Sequence, residues 1–125
     1  MAKKLIPNKE LITKWVKALR SGRYKQGNDE LHNKKTNTFC CLGVLCKAAR
    51  LPHVVEDDNR VFYFIEEGGK QGSEDEGSKF ILPNIFRNKI GISTKIQNKL
   101  INMNDEKGAT FKDIADFIER YYLND

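Results

Sequence analysis

From Leu11 the apolar residues fall at Leu11, Ile12, Trp15, Val16 and Leu19, the i, i+1, i+4, i+5, i+8 spacing of one helical face. That pattern predicts a helix. Asn8, after Pro7, supplies an N-cap side chain, and Ser21-Gly22 supplies a stop. Lys9, Lys14 and Lys17 lie on or near the other side. Trp15, the single tryptophan, sits on the apolar stripe and is expected to anchor the helix to the core.

The following stretch, GRYKQGNDELHNKKTNTF, is rich in turn residues and reads as loop, with two short strands around Tyr24–Gln26 and Thr38–Cys40. Leu42 to Ala49 is apolar nearly all round, Lys47 excepted, and stops at Leu51-Pro52. A helix with no polar face belongs in the middle of its domain. RVFYFIEE and FILP carry strand composition, and residues 68–78 between them look like an acidic, glycine-rich hairpin tip. A short helical turn over Pro83–Ile90 follows. A helix over Thr94–Met103 has Thr94 and Gln97 in capping-box spacing. Thr110 and Asp113 open a last helix with the stripe Phe111, Ile114, Ala115, Ile118 and Tyr122. With no repeats and no linker, the expectation is a small single α+β domain over 1–125, mainly helical, with a central buried helix and a short antiparallel β-hairpin.

Composition narrows the functional classes. No apolar run approaches the roughly 20 residues that cross a bilayer, and the apolar part of the first residues is too short for a secretory signal. The three cysteines, Cys40, Cys41 and Cys46, are odd in number and two are adjacent, which suits a reducing, cytoplasmic setting. The net charge of +5 is unevenly spread: residues 1–50 carry 12 Lys/Arg against 3 Asp/Glu, and residues 51–80 carry 3 against 8. A basic first part attracts phosphates, whether of nucleotides, nucleic acid or lipid headgroups.

TFCCLGVLCKAA is the stretch that looks most like chemistry. On one helix, Cys41 and Cys46 point about 140° apart, which cannot close on one ion. No Cys-x-x-Cys pair exists, and only His32 and His53 could complete a ligand set. A catalytic thiol would need one of those histidines delivered by the fold. Free cysteine is among the most buried residue types, so the three are expected to be core, with no metal and no catalytic residue. Gly43 is explained by close helix packing.

The stronger functional candidate is LRSGRYKQG, just past a helix end. Arg20, Arg23 and Lys25 surround Tyr24, with Ser21 and Gln26 among them. Guanidinium groups take phosphate oxygens two at a time, and a tyrosine ring stacks on a base. A phosphate-binding Walker loop, a dinucleotide fingerprint, His-Glu-x-x-His and an EF-hand loop are all absent from the sequence. No cofactor is implied, and the expectation is a protein that is not an enzyme.

The blocks KWVKALRSGRYKQG, FCCLGVLC, LPNIF and LINMNDEKGATFKDIADFIE resemble, in order, successive blocks of a family of small accessory proteins of tailed phages and prophages. The resemblance runs from Trp15 to Glu119 and departs at RNKIGI, where the family often carries a second aromatic, leaving open whether Ile90 or Phe86 fills that core place. It implies a setting, the host bacterial cytoplasm, and assigns no residue a role. Accessory proteins of this kind work by binding. The expectation is therefore a sponge that sequesters a nucleotide immune signal, a cyclic oligonucleotide or an ADP-ribose derivative. Arg20, Ser21, Arg23, Tyr24, Lys25 and Gln26 would hold it, with a homo-oligomer interface as one setting for the site. The alternatives are an interaction module that inhibits a host protein and a nucleic-acid-binding protein. Whether the acidic 56–76 segment binds a partner stays open.

Overall fold

Helix α1 spans Lys9–Arg20 and forms where its stripe predicts. Asn8 Oδ1 accepts from the Leu11 N–H at 3.1 Å, and the chain leaves the helix through Ser21 and a left-handed Gly22. Ile12, Trp15, Val16 and Leu19 are buried. The Trp15 indole N–H donates to the Cys41 carbonyl at 2.9 Å, so its polar end is satisfied where its ring is enclosed. The computed structural model describes residues 7–65 and 77–123.

Two three-stranded sheets follow. In the first, β1 (Lys25–Gln26) runs parallel to β3 (Thr38–Phe39), and β2 (His32–Asn33) runs antiparallel to β3 on its other side. Helix α2, Cys41–Ala48, comes directly after and is buried at six successive positions, Cys41 to Cys46. Its start lacks a cap from its own N-cap residue, Cys40. The Cys41 N–H is met instead by Asn104 Oδ1 at 3.2 Å, from a helix 63 positions away. Gly43 faces the Leu31 carbonyl so closely that a Cβ would run into it. The glycine is there for the approach of a strand-side backbone, not of another helix.

The second sheet is antiparallel, in the order β4 (His53–Val55), β5 (Val61–Phe64), β6 (Gly77–Ser78). An antiparallel hairpin is present, β4–β5, but it is not the expected pairing of RVFYFIEE with FILP. FILP is not a strand. Ser78 Oγ accepts from the Phe80 and Ile81 N–H groups at 3.1 and 3.2 Å, bending the chain off the ladder. The Leu82 N–H then finds Gln97 Oε1 at 3.0 Å rather than a strand. His53–Val55 takes the place beside β5 instead. Of the stretch expected as a hairpin tip, Gly77 and Ser78 form β6 and the rest lies outside the described residues.

Three helices complete the domain. The turn expected over 83–90 is a helix, α3 (Asn84–Ile90), closed by left-handed Gly91. Phe86 and Ile90 are both buried there, so neither replaces the other. In α4 (Thr94–Asp105) the cap is Ser93, one residue earlier than expected, and Gln97 is spent on Leu82 rather than on a capping box. Helix α5 (Phe111–Ile118) has the expected box, with Thr110 and Asp113 each accepting from the other's N–H. It runs on into a wider π turn, Glu119–Leu123, that carries Tyr122 inward. Helix α1 packs on α2 and α5, and α2 on α4, so α2 lies at the centre of a mainly helical α+β domain.

Candidate functional site

The six residues expected to form the site have different partners. The Arg20 guanidinium donates to Asp116 Oδ1 at 2.7 Å and to the two Glu119 oxygens at 3.1 and 3.3 Å. Those bonds raise its pKa and hold both carboxyls below their ordinary values. The fork is committed to lashing α1 to α5. Ser21 Oγ donates to the Ala18 carbonyl at 2.7 Å and accepts from the Arg23 N–H. The Gln26 amide donates to Asn104 Oδ1 and the Ala109 carbonyl at 2.9 and 2.8 Å. Arg23 and Lys25 are exposed, with no ion pair among the described residues. Tyr24 is half-buried, its ring edge-on to Phe39 at 5.1 Å. Tyr24 lines a cleft.

That cleft, about 370 Å³ in volume, is walled by Tyr24, Lys47, Arg50, Leu51 and His53. Its volume falls in the range of small-molecule pockets, roughly 300–1,000 Å³. The end of α2 builds one side. After the last turn, which carries Lys47 outward, the Arg50 N–H donates to the Lys47 carbonyl at 3.0 Å and the Leu51 N–H to the Cys46 carbonyl at 3.1 Å. This is the Schellman pattern, and it demands a left-handed residue at its centre. Arg50 supplies it, with φ of 59°. Strand β4 then brings His53 round to the far side, its ring 5.3 Å from that of Tyr63. No acidic side chain lines the cleft, and neither Lys47 nor Arg50 has an ion-pair partner among the described residues.

Three cations elsewhere are paired, Arg20 as described and two more. Arg60 reaches Glu30 and Asp58 at 3.0 and 2.9 Å, and Lys79 reaches Glu56 at 2.8 Å. An unpaired cation beside an aromatic ring is open to an anionic ligand in a way these are not.

The cysteines are core, as expected. All three are buried and free. Burial pushes the Cys40 thiol up to about 12 and those of Cys41 and Cys46 well above the ordinary thiol range. Cys41 Sγ lies 3.7 Å from the Leu100 carbonyl and donates to it. Such thiols are neutral and poor nucleophiles. No group of three His, Cys, Asp or Glu side chains that could hold a metal occurs among the described residues.

His32 is also buried, stacked on Phe39 with ring centres 3.8 Å apart. Its Nδ1 is 3.2 Å from the Tyr63 hydroxyl and its Nε2 3.2 Å from Asn37 Oδ1. Burial lowers its pKa, so it is a neutral link between the two sheets.

Sequence reasoning missed Lys47, Arg50 and His53. The one signal available was an arginine two positions before Pro52, where a helix of this kind usually stops on glycine.

A family model for a domain of unknown function, DUF8296, matches residues 7–122. No curated protein and no solved structure matches the chain. No helix among the described residues is long and apolar enough to cross a membrane.

Proposed function

This chain belongs to the family of the domain of unknown function DUF8296, and we propose that it is a non-enzymatic binding protein that captures a phosphate-bearing nucleotide against Tyr24. One observation carries the reading: Lys47, Arg50 and His53 meet an aromatic ring in a cleft that no acidic side chain lines among the described residues. Guanidinium and ammonium groups supply donors and charge for phosphate, and the tyrosine ring supplies a surface on which a base stacks. Tyr24 remains from the loop first suspected, while the charge comes from the end of α2. In the phage setting that the sequence blocks resemble, the ligand is an immune signal of the host cytoplasm, held away from its receptor.

A second reading has its own observation. Phe80 is exposed at 45% beneath the Arg60 and Lys79 side chains, 5.3 and 5.7 Å from its ring centre, a feature suited to contact with a host protein. Calorimetry with ADP-ribose, cyclic dinucleotides and cyclic trinucleotides separates the two. Saturable binding of one of them is expected, weakened at least tenfold by Lys47→Glu. No binding by the parent protein, with a host protein co-purifying in stoichiometric amount, overturns the nucleotide reading in favour of the second.

A further inference from the structure

The cleft beneath Tyr24 does not end at Arg50. A second cleft of about 290 Å³ adjoins it and shares Arg50 and Leu51 as a common wall. Beyond that wall the side chains of Pro52, Ile85 and Phe86 line it, and Lys89 adds a second cation to Arg50. Ile85 is 42% exposed, one of four large apolar side chains so exposed among the described residues. Among the described residues, no acidic side chain lines this cleft either.

Arg50 itself is out of the ordinary. Among the described residues the non-glycine positions with positive φ are Asp29, Asn37, Arg50 and Asn59. Aspartate and asparagine tolerate the left-handed region through their short polar side chains, whereas arginine has no such relief and glycine would sit there without strain. The backbone at the end of α2 therefore carries a cost that glycine would remove, and what arginine offers in return is its side chain, at the junction of two clefts.

Resting on the nucleotide reading above, we infer that the ligand has two rings joined through phosphates and lies across Arg50, one ring on Tyr24 and the other on Phe86 and Ile85. The order of side chains along the two clefts matches such a molecule: Tyr24, then cations, then Phe86 and Ile85. A mononucleotide would use the first cleft and leave the second empty.

The test is calorimetry on the full chain with ADP as the one-ring probe and with cyclic di-AMP and diadenosine tetraphosphate as two-ring probes. The parent protein is expected to bind at least one two-ring probe ten or more times more tightly than ADP. Ile85→Asp and Lys89→Glu, both at exposed positions, should bring that affinity down to the level of ADP and leave ADP binding unchanged. Arg50→Gly should lose the two-ring probe while the protein stays folded. If Lys47→Glu weakens binding but Ile85→Asp, Lys89→Glu and Arg50→Gly do not, the first cleft binds alone and the spanning ligand is wrong. If no probe binds the parent protein, the nucleotide reading falls and this inference with it.

Discussion

Helix α1 leaves through Ser21 and Gly22, helix α2 through Ala49 and Arg50, and in both the second residue is left-handed, with φ of 78° and 59°. At the first, glycine takes the turn without strain and the nearby Arg20 is spent on two carboxylates of α5. At the second, arginine takes the turn at a cost and no carboxylate meets it among the described residues. Cation density along the chain favours the first end. Pairing in space favours the second. Arg23 and Lys25 beside the first end are unanswered too, but it is the unpaired cations of the second end that line a cleft with an aromatic ring.

Both ends hang on one frame, and removing it gives the largest effect. Trp15→Ala deletes the ring that α1 buries and removes the indole donor to the Cys41 carbonyl, and is expected to lower unfolding stability by about 3–5 kcal/mol in denaturant titrations. A loss below about 1 kcal/mol would show that the two helices do not share a core.

The comparison sharpens with mirrored substitutions. Gly22→Ala should cost about 1 kcal/mol, because alanine cannot adopt φ of 78° freely although no atom lies within 4 Å of its Cβ. Arg50→Gly should do the reverse, raising stability by up to about 1 kcal/mol after allowance for the backbone entropy that glycine adds. The same sign for both would remove the distinction between the two ends.

Acid separates them next. Burial holds the His32 pKa below its ordinary 6.5, so as pH falls through that value the unfolded chain takes up a proton that the folded one refuses. Stability is therefore expected to decline from about pH 7 towards pH 5. The loosening begins at His32, which stacks on the Phe39 that supports Tyr24, with Lys34, Lys47 and His53 adding to the repulsion. At the α1 end, Asp116 and Glu119 are held below their ordinary 3.8 and 4.5, so their contribution stays whole until the pH is lower still. Thermal melts across this window should flatten in His32→Gln. An unchanged slope in that variant places the titration elsewhere. The smallest effect belongs to Arg20→Gln: its ion pairs are solvent-exposed, so the melting temperature should fall slightly and nucleotide binding should not change. Loss of binding in Arg20→Gln would return the site to the first loop.

What was legible in the sequence was what short-range patterns encode. The α1 and α5 stripes, the Asn8 cap and the Thr110–Asp113 box all act within a few residues, and the all-round apolarity of Leu42–Cys46 placed α2 at the centre. The rest depends on partners far along the chain. Asn104 joins Gln26, Gly27 and Cys41, which are 78, 77 and 63 positions away, and nothing near Asn104 announces that role. Arg20 looked available because Asp116 is 96 positions downstream. The cleft escaped notice because Tyr24, Arg50 and His53 meet only after β1 and β4 fold onto opposite sides of one helix end.

The clasp of Arg20 on Asp116 and Glu119 also sets a timetable. The helix made early finds its neighbour only when a helix 96 positions later has been made. At about 5–20 residues per second on the ribosome, that is an interval of roughly 5–20 s in which the apolar face of α1 has no α5 to cover it. Local contacts cannot close the domain in the meantime, because the pairing that seals it spans most of the described chain. A chain stalled before Phe111 is thus expected to leave part of that helix face uncovered and open to the chaperones of the cell.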